Sequence, residues 1–239
     1  MIRVIAFDAD DTLWHNESVF QATETQFTQL LAAYADEQSI RDRLLQTESR
    51  NLAHFGYGVK GFTLSMIESA IELTAGQIVG RDVQTIIDWG REMMHMPVDL
   101  LDGVAETIET LAKEYRLVLV TKGDLFDQEA KLARSGVGQH FSDVQIVSDK
   151  TVATYRAIIQ REAVAPDELV MVGNSLRSDV LPACDAGARA VHIPYHLTWA
   201  HERVAEDALA GREFARLSSI RELPEWVAAR AARSRLIGS

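Results

Sequence analysis

Asp8 and Asp10 close the apolar run Val4-Ile5-Ala6-Phe7 in the opening stretch MIRVIAFDADDTLW. Two carboxylates two residues apart at the end of a buried strand can work on one ligand, because the crevice of an open α/β sheet lies outside the carboxyl ends of its strands. Alone, the pair is equally well read as a solvated turn, continued by Asp11 and Thr12, with acids that cap a helix. Three later strand ends carry complementary residues: Thr121 after RLVLV, Lys150 after Val144 to Val147, and Asn174 with Asp179 after Leu169 to Val172. Singly, Thr121 reads as a strand-end cap and Lys150 as a surface charge. Together, acids, a hydroxyl and an ammonium in this order read as one polar site.

These residues need a sheet to hold them. Arg116 to Val120, Val144 to Val147, Leu169 to Val172 and Ala190 to Ile193 are short apolar runs of strand length, separated by helical segments such as Val104 to Tyr115, Phe126 to Ser135 and Thr151 to Glu162. Such alternation predicts parallel βαβ units, hence an α/β fold with a doubly wound, Rossmann-like parallel sheet. Phe214 to Leu217 is expected as an edge strand and Ile220 to Ala232 as a closing helix, with Arg230, Arg233 and Arg235 on a solvated end.

Between the first strand and Pro97 the apolar spacing turns helical, as in Phe20, Phe27, Leu30, Leu31 and Tyr34, predicting an inserted all-helical domain of about four helices. The domains are therefore 1–14 with 98–239, and 15–97. Within the insert, His54 to Phe62 (HFGYGVKGF) reads as a glycine-rich loop, either a plain connection or a substrate-facing loop presenting Lys60 with Tyr57 and Phe62.

Composition limits the partners. The 239 residues are 47% hydrophobic and 25% charged, enough for a sizeable core, and the net charge of −11 argues against a nucleic-acid polymer as ligand. Cys184 is the single cysteine, which excludes an internal disulfide and suits a cytoplasmic setting. No run reads as a membrane span or a signal peptide. His192, His196 and His201 in HIPYHLTWAH raise the idea of a transition-metal site, but their spacing fits no regular helix face, so a packed loop that includes Trp199 is expected. A monomer and a homodimer are both compatible with the chain.

The ordered set DADDT, the Thr of VTKGD, the Lys of SDKT and GNSLRSD resembles the four motifs of the haloacid dehalogenase superfamily, and the helical insert resembles the position of its C1 cap. The resemblance covers residues 1–14 and about 98–225. It implies a phosphoryl-transfer site in which Asp8 is the nucleophile and Asp10 the general acid and base, with Thr121 and Lys150 stabilising charge. It also implies Mg²⁺ held by Asp8, the carbonyl of Asp10 and the fourth-motif residues Asn174 and Asp179; Asp149 is a further acid that could supplement the set. Lys122 and the insert residues Tyr57, Lys60 and Phe62 would bind the rest of a small phosphorylated metabolite. One departure stands out: Asn174 occupies a place where the superfamily commonly has an acid, which removes one unit of charge from the metal site. Asp10 favours phosphomonoester hydrolysis over dehalogenase or phosphonate chemistry. A phosphomutase shares all four motifs, and a weakened binding or regulatory protein would keep the fold without turnover.

Overall fold

A computed structural model describes residues 1–237. Strand β1 (Val4–Phe7) is buried at all four positions and pairs in parallel with one strand on each side. A continuous apolar run satisfies such a position because both of its faces are covered. Four helices follow, α1 (Glu17–Leu31), α2 (Glu37–Phe55), α3 (Val59–Leu73) and α4 (Gly80–His95). The chain then runs through α5 (Val104–Leu111), β2 (Arg116–Lys122), α6 (Leu125–Arg134), β3 (Asp143–Val147) and α7 (Val152–Glu162). It ends with β4 (Leu169–Gly173), α8 (Leu181–Asp185), β5 (Arg189–His192), β6 (Ala215–Arg216) and α9 (Leu223–Ile237). The side chains of Arg233 and Arg235 lie outside the described ones.

The six strands form a Rossmann-like sheet in the order β3-β2-β1-β4-β5-β6. Winding proceeds from β1 outward to β3, then crosses back to β4 on the other side of β1. Strand order thus reverses at β1, and a reversal of this kind opens a crevice beyond the carboxyl ends of the strands flanking it. Period-two alternation divides the strand residues between two cores. Ile5, Phe7, Leu117, Leu119, Val170 and Val172 pack with Ile108 of α5 and Val227 of α9. Val4, Ala6, Val118, Val120 and Met171 pack on the other face with Tyr155 and Ile158 of α7 and Ala183 of α8.

The chain divides into two compact units. One comprises Met1–Glu17, Val98–Thr121 and the chain from Lys131 onward; the other comprises Ser18–Pro97 together with Lys122–Ala130. The sequence reading assigned all of 98–239 to the strand-bearing domain, whereas the start of α6 clusters with the four helices. That helical unit has its own core of Phe27, Leu31, Ile40, Leu44, Phe62, Met66, Ile86 and Met93. The expected loop over 54–62 shrinks to residues 56–58, so Lys60 lies in the first turn of α3. Gly56 and Gly58 adopt φ of +70° and +106° and make the reversal by themselves. Among the described residues no helix is long and apolar enough to cross a membrane.

Candidate active site

The residues after β1 form a tight turn. Leu13 and Thr12 donate their N–H groups to the carbonyl of Ala9, and Asp11 donates to the carbonyl of Trp14. Asp11 takes the left-handed conformation at φ +61°, and its carboxylate accepts the N–H groups of Asn16 and Glu17 at 2.9 and 3.0 Å, capping α1. The turn points Asp8 and Asp10 in different directions, and each meets its own partners.

Asp8 is buried and continues the β1–β4 pairing through its N–H to Val172. Lys150 donates to Asp8 Oδ1, and to Asp179 Oδ1 at 2.7 Å. The Thr12 hydroxyl lies 2.9 Å from Asp8 Oδ2 and 3.2 Å from Asn174 Oδ1, and accepts the Asn174 N–H at 3.0 Å. Asp179 is 1% exposed, and its second oxygen accepts the Ser175 N–H at 2.9 Å. Gly173 has to be glycine: a Cβ there would lie 2.1 Å from Asp179 Oδ2. A turn of π-helix over Leu176–Val180 leads into α8 and turns Asp179 back under β4; such turns recur at functional sites. Tyr155 fixes it by donating its hydroxyl to the Ser178 carbonyl at 2.9 Å, while the hydroxyls of Ser175 and Ser178 both bond Glu202.

The electrostatics follow from burial. Desolvation pushes the Asp8 carboxyl up to about 7 against the pull of Lys150, with Asp179 and Asp10 adding repulsion. Burial likewise pushes Asp11 up to about 7 despite its two N–H donors. Burial alone would lower the Lys150 ammonium, but Asp179 and Asp8 outweigh it and hold it above its ordinary value. Lys150 is therefore a permanent cation bridging two acids.

Asp10 is placed differently. Its Oδ1 accepts the Trp14 indole N–H at 2.7 Å, and Lys131 Nζ lies 3.1 and 3.3 Å from its two oxygens. Lys131 also donates to Asn16 Oδ1 at 2.8 Å. Thr12, Trp14 and Lys131 were not singled out from sequence as site residues. For the first two the signal was present, since each stands four residues beyond the acid it serves in a turn too tight to be helical. Lys131 carried none, being one cation among others on an amphipathic helix.

Thr121 is buried two residues beyond Leu119, the β2 partner of Phe7, and so stands beside the Asp8 turn. Asp149 caps the Lys150 N–H at 2.8 Å. In the helical unit, Lys122 Nζ sits 4.1 Å from the centre of the Tyr57 ring, and Lys60 pairs with Asp124 at 2.9 Å. The exposed aromatic near them is Phe126, 5.6 Å from Lys60 Nζ. Phe62, expected to face a substrate, is instead buried against Phe20 with ring centres 5.0 Å apart. Helical spacing turns its ring into the core of that unit, where burial of an aromatic stabilises most.

The donors available to a metal ion are oxygens: the carboxylates of Asp8 and Asp179, the Asn174 amide and nearby backbone carbonyls. Among the described residues no three His, Cys, Asp or Glu side chains group to hold a metal, and position 174 offers an amide. The set still fits a hard cation such as Mg²⁺, which binds through one or two carboxylates and keeps several waters. The three histidines do not share one packed loop as expected: His192 ends β5 and is buried, His196 is exposed and His201 is half-buried. His192 Nε2 bonds the Asn174 carbonyl at 2.9 Å, and the other two stack on aromatic neighbours, His196 on Tyr195 and His201 on Trp199.

Comparison with known proteins gives three kinds of match. A family model for haloacid dehalogenase-like hydrolases matches residues 2–187. The crystal structure of a haloacid dehalogenase-like family hydrolase from Xanthomonas campestris superimposes with a TM-score of 0.86 at 38% identity, covering 98% of this chain and 94% of that one. Among characterised relatives, glyceraldehyde 3-phosphate phosphatase of Methanothermobacter thermautotrophicus is 26% identical over 93% of this chain and 100% of its own length. Human N-acylneuraminate-9-phosphatase is 25% identical over 79% of this chain and 81% of its own.

Proposed function

Since the chain belongs to the haloacid dehalogenase-like hydrolases, we propose that it is a Mg²⁺-dependent phosphatase that cleaves a small phosphomonoester through an aspartyl-phosphate on Asp8. The observation that carries this reading is the convergence on Asp8 of Lys150, which also holds Asp179, and Thr12, which also contacts Asn174. The phosphatase activities of relatives at about a quarter identity support it.

In the first step an oxygen of Asp8 attacks phosphorus, the ester P–O bond breaks, and the leaving oxygen takes a proton from Asp10. In the second step a water attacks the same phosphorus and gives its proton to Asp10, releasing inorganic phosphate and restoring the Asp8 carboxylate. Lys150 and Thr121 stabilise the charge spread over the equatorial oxygens. Held by Asp8, Asn174, Asp179 and the Asp10 carbonyl, Mg²⁺ would supply positive charge for the phosphoryl oxygens and keep the buried Asp8 ionised. The grouping of Lys122, Tyr57 and Lys60 in the helical unit is proposed to select the leaving group, the role of a cap. Asp10 separates this reading from dehalogenation, which has no leaving oxygen to protonate.

The test is phosphate release from a panel of phosphomonoesters, with Mg²⁺ and with chelator, for the wild type and Asp8→Asn. Release that needs both Mg²⁺ and Asp8 is expected, with a loss of at least about a thousandfold in the variant. Phosphate release that survives Asp8→Asn would refute the nucleophile assignment, and ligand binding without turnover would establish the weakened-protein alternative.

A further inference from the structure

Asp10 sits on the tip of the turn, where the backbone bonds of Leu13, Thr12 and Asp11 fix its Cα but leave its side chain free to rotate. An untethered aspartate populates several χ1 wells, and proton transfer to or from a reacting oxygen tolerates little misplacement. Two donors remove that freedom, one four residues along the same turn and one 121 residues away. The Trp14 indole, anchored in the core at 1% exposure, donates to Oδ1 at 2.7 Å. Lys131 Nζ reaches both oxygens, at 3.1 and 3.3 Å, and is itself steadied by Asn16 Oδ1 at 2.8 Å. Its side chain is 13% exposed and that of Asp10 is 23% exposed, so this pair is less screened than a surface pair.

We propose that Lys131 is the positioning residue for Asp10: with Trp14 it clamps the carboxylate in the one rotamer from which a proton can be passed to the leaving oxygen. The proposal rests on the phosphatase reading above and adds to it a residue that contacts the Asp10 carboxylate rather than one assigned to the phosphoryl group or to the metal. If Lys131 acts on the reaction through Asp10, its removal must reproduce the signature of removing Asp10, at smaller size.

That signature is a dependence on the leaving group. An alkyl phosphate expels an alkoxide that needs a proton as the P–O bond breaks; a nitrophenyl phosphate expels a stable phenolate that does not. The value of kcat/KM reports events only up to the first irreversible step, so it isolates this protonation from the later attack of water. For Lys131→Met we expect kcat/KM to fall about 10- to 100-fold on an alkyl phosphate and less than about threefold on nitrophenyl phosphate. Asp10→Asn should show the same split with a larger loss, Lys131→Met should add nothing in the Asp10→Asn background, and Lys131→Arg should recover part of the alkyl activity. Equal loss on both esters, or an undiminished effect in the Asp10→Asn background, would overturn the proposal by showing a merely structural role.

A second readout needs no turnover. The Trp14 indole N–H bonds Asp10 directly, so Asp10→Asn should move one of the four tryptophan indole resonances in a nitrogen–proton NMR spectrum. Lys131→Met should move the same resonance, and its failure to do so would also overturn the clamp. Should the wild type hydrolyse neither ester, the phosphatase reading falls, and the indole resonance alone still decides whether Lys131 holds Asp10.

Discussion

Asp8 and Asp11 both carry carboxyls that burial raises from 3.8 to about 7. A raised carboxyl binds its proton in the folded chain over a pH range where the unfolded chain has already lost it. The native state therefore holds more protons between about pH 4 and 7, and linkage makes the metal-free protein lose stability as pH rises through that window. Thermal melts in chelator should give a lower Tm at pH 7.5 than at pH 5. Asp11→Asn, which keeps an N-cap acceptor but cannot titrate, should flatten the slope; an unchanged slope would show that Asp11 is ionised throughout. The acids and Lys150 were legible as site residues because their types are scarce at buried strand ends. The hydroxyl of Thr12 and the indole of Trp14 carried only a local signal, each four residues beyond its acid, and the ammonium of Lys131 carried none, since it meets Asp10 only through the fold.

The strands and the turn after β4 set the spacing of the site. Gly173 ends β4 where Asp179 folds back against it, and a Cβ at that point would fall 2.1 Å from the carboxylate. Gly173→Ala should destabilise the protein by about 1–3 kcal/mol through this overpacking and depress activity by displacing the acid that Lys150 holds. As a control, Gly80 begins α4 with nothing within 4 Å of its Cβ direction and no positive φ. Gly80→Ala should stabilise by about half a kcal/mol by restricting the unfolded chain, and chemical denaturation of both variants measures the contrast. Elements of this kind were well marked in the sequence: all five principal strands stand within a residue or two of the apolar runs that announced them. Within the helical insert two assignments moved. The glycine-rich stretch became a three-residue turn because Gly56 and Gly58 reverse the chain by themselves, and Phe62 left the expected substrate face because α3 begins early enough to turn its ring inward.

Across the whole molecule, acidic charge dominates, at −11, and several cations are paired with carboxylates within their own unit: Lys150 with Asp8 and Asp179 and Lys131 with Asp10 in the strand-bearing unit, Lys60 with Asp124 in the helical one. With this net charge and these pairings, a short DNA duplex should give no mobility shift at micromolar protein and about 50 mM salt, where phosphate contacts are least screened. A clear shift would reveal a basic surface that this balance does not provide. What the sequence by itself determined is the set of apolar runs, their alternation with helices, and the four polar strand ends in order, because hydrophobic periodicity and residue type are local properties of a chain. Only the tertiary structure decided that β1 lies between β2 and β4, that Lys150 bridges Asp8 and Asp179, and that Lys131 meets Asp10 from 121 residues away. Those are pairings between distant segments, chosen by how the two faces of the sheet bury together, and no local pattern encodes them.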